Sequence, residues 1–344
     1  MPKIPVLMLL LIPLALPCRS ADVIFGRRLY AVHGHSYQQI WTLDSRTRKV
    51  APLTHSDRRH DQAVCSPDGR RIWFLSGPFG DIDENELWWF DRLTRSETLA
   101  AKLKVRPITL VGATEKSAFF TALENDKGGL YRWDGRLEKI SALDDTVGTA
   151  ALSPDGRTLA VQRGKASLVT MFAASGAQGR EVAGCSGPVW SSDGRRLVCF
   201  AGAKIRVMDV ASGAETAHAE FTLRPTPPLY ADFSPDGKRL LMGTIGANHT
   251  STSPQLDYWT LEIAAGKWEF IGPGQAAIFA AGGVLLVTPR ELAPVGKAHE
   301  WVSQILLVDP ATHAQTPLAA GTASNVEPRR CLEPTSKPGE LKRK

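Results

Sequence analysis

A four-residue phrase, Ser-Pro-Asp-Gly, recurs along this chain and constrains its fold more than any other feature. It occurs at residues 66–69, 153–156 and 234–237, and with a second serine in place of proline at 191–194. Each copy follows a short apolar run and precedes a second one. Proline presets φ for the second turn position, and glycine takes a left-handed conformation in which a Cβ would clash. Each phrase therefore predicts a tight turn between two antiparallel strands.

A second phrase, an apolar run that ends in an acidic residue, lies downstream of each predicted hairpin. The acids are Asp44, Asp91, Asp134, Asp209, Glu262 and Asp309, and Phe172 stands at the corresponding place in the fourth unit. Successive copies are 37 to 53 residues apart, with a mean of about 44. An aspartate before a turn can accept hydrogen bonds from backbone amides two residues on. We therefore interpret these acids as turn-formers and assign no catalytic residue among them.

Seven units of this period predict a repeat fold. Each unit reads as four strands with no amphipathic helix, which is typical of a β-propeller blade. We predict an all-β, seven-bladed propeller of four-stranded antiparallel blades, with six or eight blades as alternatives. Unit one begins at its second strand, and we align its Gly26 with Gly69. The segment 326–331 is then expected to close the ring by pairing with the beginning of the chain.

The first twenty residues have the pattern of a secretory signal peptide. Lys3 supplies the positive start, residues 4–16 are apolar, and cleavage near Ser20 is expected. A lipoprotein anchored through Cys18 is the alternative, which Pro17 disfavours. We therefore predict a signal peptide at 1–20, a propeller at 21–332 and a disordered basic tail at 333–344. The protein is expected to be periplasmic or secreted, monomeric, and not an integral membrane protein.

The formal net charge of +6 comes partly from the two ends of the chain, and no basic helix or aromatic-basic ladder occurs. This composition argues against nucleic-acid binding. Four of the five cysteines follow the leader, and their spacing matches no metal motif. Export would permit disulfides. We interpret Cys199 as a small core residue, and a bridge between Cys65 and Cys331 is one option if the chain ends meet.

The Ser-Pro-Asp-Gly hairpins and the acid-terminated strands resemble the WD-repeat-like propeller repeats of the TolB family and of prolyl-oligopeptidase-type peptidases. The resemblance covers residues 22–331. TolB carries an additional α/β domain before a six-bladed propeller, and no such domain precedes Phe25. The peptidases carry a Gly-x-Ser-x-Gly elbow, which is missing from this sequence. The resemblance therefore implies a stand-alone TolB-like propeller that acts as a binding scaffold.

Loops on one face of such a propeller are the place to look for function. The loops from the second to the third strand of a blade, and those between blades, emerge on one face, here called the long-loop face. The Ser-Pro-Asp-Gly turns emerge on the other, the turn face. Binding residues concentrate in loops carried by a rigid scaffold. The candidate binding residues on the long-loop face are His33, His35, His55, His60, Asp61, Asp81, Asp83, His249, Arg290 and His299.

Two functional hypotheses follow from these residues. The first is an exported, non-catalytic propeller that binds a protein or peptide and needs no cofactor. The second is a metal-assisted lyase or lactonase-like hydrolase at the mouth of the channel, with His33, His35 and Asp61 as candidate ligands of a divalent metal. Residues 81–92 imitate the start of a calcium loop but lack its glycine and its final acid. A carbohydrate or small-ligand sensor is a third option.

Overall fold

The computed structural model describes residues 21–30, 36–44, 47–56, 58–77, 85–143, 149–163, 167–223, 228–246, 255–295, 298–323 and 328–332. Every regular element in these ranges is a β-strand. The strands form seven antiparallel four-stranded blades arranged in a ring, so the predicted seven-bladed propeller is confirmed and the six- and eight-bladed alternatives are wrong. The described ranges contain no helix that could cross a membrane.

Blade 1 is built from both ends of the chain. Its strands are β1 (Ala21–Tyr30), β2 (Ser36–Leu43) and β3 (Val50–Pro52), with β28 (Arg329–Leu332) innermost. Blade 2 contains β4 (Arg59–Cys65), β5 (Arg71–Gly77), β6 (Glu86–Asp91) and β7 (Ser96–Lys102). Blade 3 contains β8 (Arg106–Ala113), β9 (Ala118–Glu124), β10 (Lys127–Trp133) and β11 (Leu137–Ala142). Blade 4 contains β12 (Ala150–Leu152), β13 (Thr158–Gln162), β14 (Leu168–Ala173) and β15 (Gln178–Ala183).

The other three blades are continuous in sequence. Blade 5 contains β16 (Ser186–Trp190), β17 (Arg196–Ala201), β18 (Lys204–Asp209) and β19 (Glu215–Glu220). Blade 6 contains β20 (Tyr230–Phe233), β21 (Arg239–Ile245), β22 (Leu256–Glu262) and β23 (Lys267–Gly274). Blade 7 contains β24 (Ala276–Ala280), β25 (Gly283–Val295), β26 (Ala298–Val308) and β27 (Gln315–Ala323).

The Ser-Pro-Asp-Gly phrases form the turns between the two inner strands of blades 2, 4, 5 and 6. In the first copy the Gly69 amide donates to the Ser66 carbonyl over 2.8 Å, and the Arg71 amide donates to Ser66 Oγ over 2.9 Å. The Ser66 hydroxyl in turn donates to Asp68 Oδ1 over 2.5 Å. The glycines of the four copies have φ between 67° and 72°. The predicted role of glycine is therefore confirmed.

The acids at the ends of third strands also act locally. Asp91 Oδ1 accepts the amides of Leu93 and Thr94 over 2.8 and 3.2 Å. Partial burial raises the pKa of Asp91, but these amides and the Arg70 guanidinium outweigh that effect and hold it below its usual range. Asp309 accepts two amides of its own turn in the same way. The interpretation as turn-formers is confirmed for Asp44, Asp91, Asp209 and Asp309. The Asp134 carboxylate instead lies 3.3 Å from Arg132 Nε.

The inner strands form a closed ring around an axial channel. Going round the ring, β28 contacts β4, and β8, β12, β16, β20 and β24 follow in order until β24 contacts β28 again. Apolar side chains fill the space between adjacent blades: Trp73 of blade 2 and Phe120 of blade 3, for example, belong to one buried cluster. Because each sheet is covered on both faces, apolar residues occur at successive positions instead of strictly alternating.

Two disulfides link parts of the described chain. Strand β28 pairs with β1 from Ala21↔Leu332 to Ile24↔Arg329, which confirms that the end of the chain closes the ring. Next to this pairing, Cys331 is bonded to Cys65 of blade 2, with their Cα atoms 5.5 Å apart. Cys199 is a fully buried core residue, as predicted, and is also bonded to Cys185.

The alignment of Gly26 with Gly69 is wrong. Gly26 lies in the middle of β1 opposite Ile40, and the Gln38 side chain packs where its Cβ would be. The acid-terminated strands give the true register. Val23 pairs with Leu43, the residue before Asp44, and Ile72 pairs with Phe90, the residue before Asp91, so Val23 is equivalent to Ile72. The Gly-Arg-Arg sequences matched locally, but the apolar residues that fill the core begin at Val23.

Blades 7 and 1 are joined on the long-loop side into one sheet. The hairpin of β25 and β26 continues to the pair Val295↔Ala298, well beyond the end of β24. Strand β27 then reaches β1 through the pair Arg28↔Ala323. The inner strand of blade 1 is short: β28 pairs with β1 only from Ala21 to Ile24, whereas β1 pairs with β2 as far as Tyr30.

Candidate functional site

The structure describes only part of the predicted binding set. His33, His35, Asp81, Asp83 and His249 lie outside the described residues, and their assignment stays a prediction.

Arg290 is exposed in β25, and the backbone of His299 pairs with Pro294 in the β25–β26 hairpin. His55, His60 and Asp61 lie together where the chain leaves blade 1 and enters β4 of blade 2.

His60 is a buried hydrogen-bonding residue. Its side chain is completely inaccessible to water, and its ring meets Phe74 edge-on with centroids 4.8 Å apart. Nε2 lies 2.6 Å from Ser56 Oγ, whereas Nδ1 is buried without a hydrogen-bond partner among the described residues. Burial, and secondarily the positive charge of Arg58, lower the pKa of His60 to about 4. The imidazole is therefore neutral at physiological pH.

The loop that carries Ser56 is held by blade 1. Gln39 Nε2 donates to the carbonyls of Ser56 and Arg58, both over 2.7 Å. Its Oε1 accepts from the Thr54 hydroxyl over 2.6 Å, and Thr54 Oγ1 accepts the Ile40 amide. This network fixes the entry to β4 and so positions His60 between blades 1 and 2.

A charged cluster lies near His60, at the long-loop ends of the strands of blade 2. Arg58 pairs with Glu86, and its Nε lies 3.3 Å from Ser76 Oγ. Glu86 also accepts from Trp88 Nε1 over 2.8 Å, and its other oxygen lies 3.7 Å from Lys102 Nζ. Because the Glu86 side chain is nearly buried and contacts two cations, this cluster is a structural ion-pair network that joins the segment before β4 to the third and fourth strands of blade 2.

Asp61 and His55, the other two predicted residues of this region, already interact with neighbouring side chains. Asp61 Oδ2 lies 2.7 Å from Arg59 Nε. His55 is exposed, and it acts on the pKa of Glu97, which burial raises and the His55 backbone amide partly lowers. Within the described ranges no three His, Cys, Asp or Glu side chains converge as metal ligands. Of the candidate ligands, only Asp61 is described, and it would have to leave Arg59 to bind a metal.

The axial channel contains a polar group that sequence reasoning missed. Asp232 of β20 accepts the Phe279 amide of β24 over 3.0 Å, and it pairs with Arg330 of β28 over 2.5 Å. Arg330 also donates to the Phe233 carbonyl over 2.8 Å. Burial raises the pKa of Asp232, and Arg330 opposes that rise. No sequence signal connects two residues 98 positions apart, so only the closed ring shows this pair.

An apolar rim borders blades 5 and 6 on the long-loop face. It consists of Leu223, Leu229 and Ile245, which are 43%, 60% and 40% exposed. Leu229 is tied to β21 because its amide donates to the Gly243 carbonyl over 2.9 Å. Large exposed apolar side chains that occur together are typical of interaction surfaces.

Comparison with known proteins relates this chain to others only through its fold. No protein-family model and no curated protein sequence matches it. TolB from Acinetobacter baumannii superposes with a TM-score of 0.52 and 16% identity, covering 90% of this chain and 66% of the TolB chain. A putative 6-phosphogluconolactonase from Bacteroides fragilis superposes with a TM-score of 0.56 and 15% identity, covering 90% and 98%.

An oligogalacturonate lyase in complex with manganese superposes with a TM-score of 0.56 and 14% identity, covering 77% of this chain and 87% of the lyase. A TolB, a putative lactonase and a lyase thus share this fold, so the fold alone does not indicate an activity. The resemblance to TolB deduced from the hairpins is confirmed at the level of architecture: the chain has a TolB-like β-propeller fold.

Proposed function

We propose that this protein is an exported, non-catalytic propeller that binds a protein or peptide partner on its long-loop face. The observation that carries the proposal is the apolar rim of Leu223, Leu229 and Ile245. A soluble protein usually covers such side chains unless another surface packs on them. The rim lies beside the inner strand β20, so a partner seated there would also reach the mouth of the axial channel.

Export is proposed on two grounds that support each other. The leader at 1–20 has the pattern of a signal peptide. The two disulfides, Cys65–Cys331 and Cys185–Cys199, are of the kind that persists in an oxidising compartment. A periplasmic or secreted location accommodates both.

Capture of a partner from extract of the expressing cells tests the proposal. The bait would be the mature chain, compared with the double variant Leu229→Asp/Ile245→Asp and with Leu93→Asp as the matched control. Leu93 is 44% exposed but lies in a turn between third and fourth strands, on the turn face. We expect a protein retained by the wild type and by the control but not by the rim variant. Equal retention by all three baits, or by none, would contradict the proposal.

The metal-assisted enzyme is the alternative. We keep this alternative because solved structures of similar fold include a lyase in complex with manganese and a putative lactonase. Its remaining candidate ligands, His33 and His35, lie outside the described residues. Metal analysis of protein purified without chelator distinguishes the two functions. One equivalent of metal, lost in His33→Ala/His35→Ala, would favour the enzyme, whereas metal-free protein that still captures its partner would favour the scaffold.

A further inference from the structure

The inner strands carry an excess of positive charge. Together they contain four arginines and two acidic residues: Arg59, Arg106, Arg329, Arg330, Asp61 and Asp232. Asp61 is paired with Arg59 and Asp232 with Arg330, so both carboxylates are already engaged. Arg106 and Arg329 therefore leave two positive charges on the inner strands without a described carboxylate partner.

The two arginines lie at different depths along the channel. Arg106 is the first residue of β8, at the long-loop end, and pairs with Leu123 near the end of β9. Arg329 is the first residue of the short strand β28 and pairs with Ile24. Ile24 lies one residue after Val23, which pairs with the residue before Asp44, whereas Leu123 lies five residues after Ala118, the equivalent position in blade 3. Arg329 is therefore farther from the long-loop face than Arg106. Both arginines are exposed to water.

Tyr230 adds a neutral hydrogen-bond donor near Arg329. It begins β20, and its ring meets that of Tyr258 at 6.2 Å. Burial, and then the charges of Asp232 and Tyr258, raise the pKa of Tyr230 well above its usual value, whereas Arg329 and Arg330 act in the opposite direction. The phenol therefore keeps its proton at physiological pH and lies within electrostatic reach of Arg329.

A channel lined by charge of one sign attracts ligands of the other sign, because its low-dielectric walls focus the field. Arginine suits a carboxylate, which its planar guanidinium can bind with two parallel hydrogen bonds. Two cations at separate depths match an extended chain with spaced acidic groups better than one compact anion. An acidic peptide segment meets this requirement.

We propose that the axial channel binds the carboxylates of an acidic peptide segment, with Arg329 as the deep ion-pairing group, Tyr230 as a hydrogen-bond donor and Arg106 as the cation at the entrance. The proposal rests on the proposed function, since it assigns a chemistry to the partner that the long-loop face would bind. The partner would place apolar side chains on the rim of Leu229 and Ile245 and acidic ones in the channel.

Fluorescence anisotropy with defined probes tests this site. The probe is a fluorescein-labelled decapeptide of alternating glycine and glutamate, and the comparison is the same peptide with glutamine. We expect the wild type to bind only the acidic peptide, more weakly at higher salt. Arg329→Gln should weaken binding about tenfold or more, because a hydrogen-bonded charge is lost. Arg106→Gln should weaken it only a few-fold, roughly as expected for a solvent-exposed pair.

Arg195→Gln is the matched control, since Arg195 is an exposed arginine on the turn face. It should bind as the wild type does, and thermal melting should show that all three variants fold.

The site is wrong if the acidic peptide does not bind, if Arg329→Gln binds it normally, or if inorganic phosphate at equal ionic strength displaces it as well as free acidic peptide does. The proposed function is tested separately, by partner capture. If Leu229→Asp/Ile245→Asp loses the partner but one of these three results is obtained, the long-loop face binds a partner and the acidic-peptide site is wrong.

Discussion

Cys331, in the strand that closes the ring, is bonded to Cys65 in the inner strand of the next blade, and the two are 266 residues apart in sequence. The bond ties the last described strand to the ring at the point where β28, β1 and β4 meet. It therefore supports the one blade whose strands come from both ends of the chain.

Removing this bond should destabilise the protein more than removing the other one. The chain-entropy relation gives about 5.6 kcal/mol for the 266-residue separation of Cys65–Cys331 and about 3 kcal/mol for the 14-residue separation of Cys185–Cys199. We expect Cys65→Ala/Cys331→Ala to lower the unfolding midpoint in denaturant further than Cys185→Ala/Cys199→Ala. Equal midpoints for the two variants would show that loop length does not set the relative contribution of the two bonds.

The pair of Asp232 and Arg330 should show strong coupling. Arg330→Gln would leave a buried carboxylate without its cation and should cost about 3 kcal/mol of unfolding free energy. Asp232→Asn should cost less, because an amide can still accept the Phe279 amide hydrogen. In a double-mutant cycle the two losses should not add. Additive losses would show that the two side chains act independently.

Stability should fall in mild acid because of His60. Its pKa is about 4 in the folded protein and 6.5 when unperturbed, so protonation favours the unfolded chain. The folded state is fully stable with respect to this group above pH 6.5 and loses roughly 3 kcal/mol as pH falls to 4, after which the loss stays constant.

His60→Gln removes the titrating group and should flatten this part of the profile of unfolding free energy against pH. The measurement is denaturant unfolding from pH 4 to pH 8. A variant whose profile keeps the wild-type slope would assign the acid sensitivity to other groups.

The glycine of a Ser-Asp-Gly turn should tolerate asparagine better than alanine. Gly194 has a φ of 69°, and the nearest atom to an added Cβ is Pro154 Cδ at 3.7 Å, so space is not limiting. Gly194→Ala should cost about 1–2 kcal/mol from backbone strain alone, and Gly194→Asn less. Thermal unfolding compares them, and equal melting temperatures would mean that the turn relaxes.

Predictability differed between the scaffold and the site. The turns at 66–69 and their repeats were predictable because their hydrogen bonds link residues at most five positions apart. The closing strand was predictable because unit one lacked an inner strand. The register of Gly26 was not, since a short local match outweighed the pattern of buried residues that begins at Val23.

The candidate site was harder to predict. His60 was expected to be a loop residue available to a ligand, yet it is buried against Phe74 and hydrogen-bonded to Ser56. Gln39 of blade 1 holds the loop that carries Ser56 in place. A histidine in a polar stretch gives no sign of its burial when the covering residues come from the neighbouring blade.

The sequence by itself determined the blade, its turns and the repeat period, since each depends on residues a few positions apart or on a regular spacing. It left six, seven or eight blades open, and the structure fixed the number at seven. Only the tertiary structure decided which groups meet at the axis and between the ends of the chain. Asp232 and Arg330, like Cys65 and Cys331, become neighbours through closure of the ring. The repeat pattern predicted that the segment 326–331 closes the ring, but the side chains that meet there depend on the positions of all seven blades, so no local pattern records those contacts.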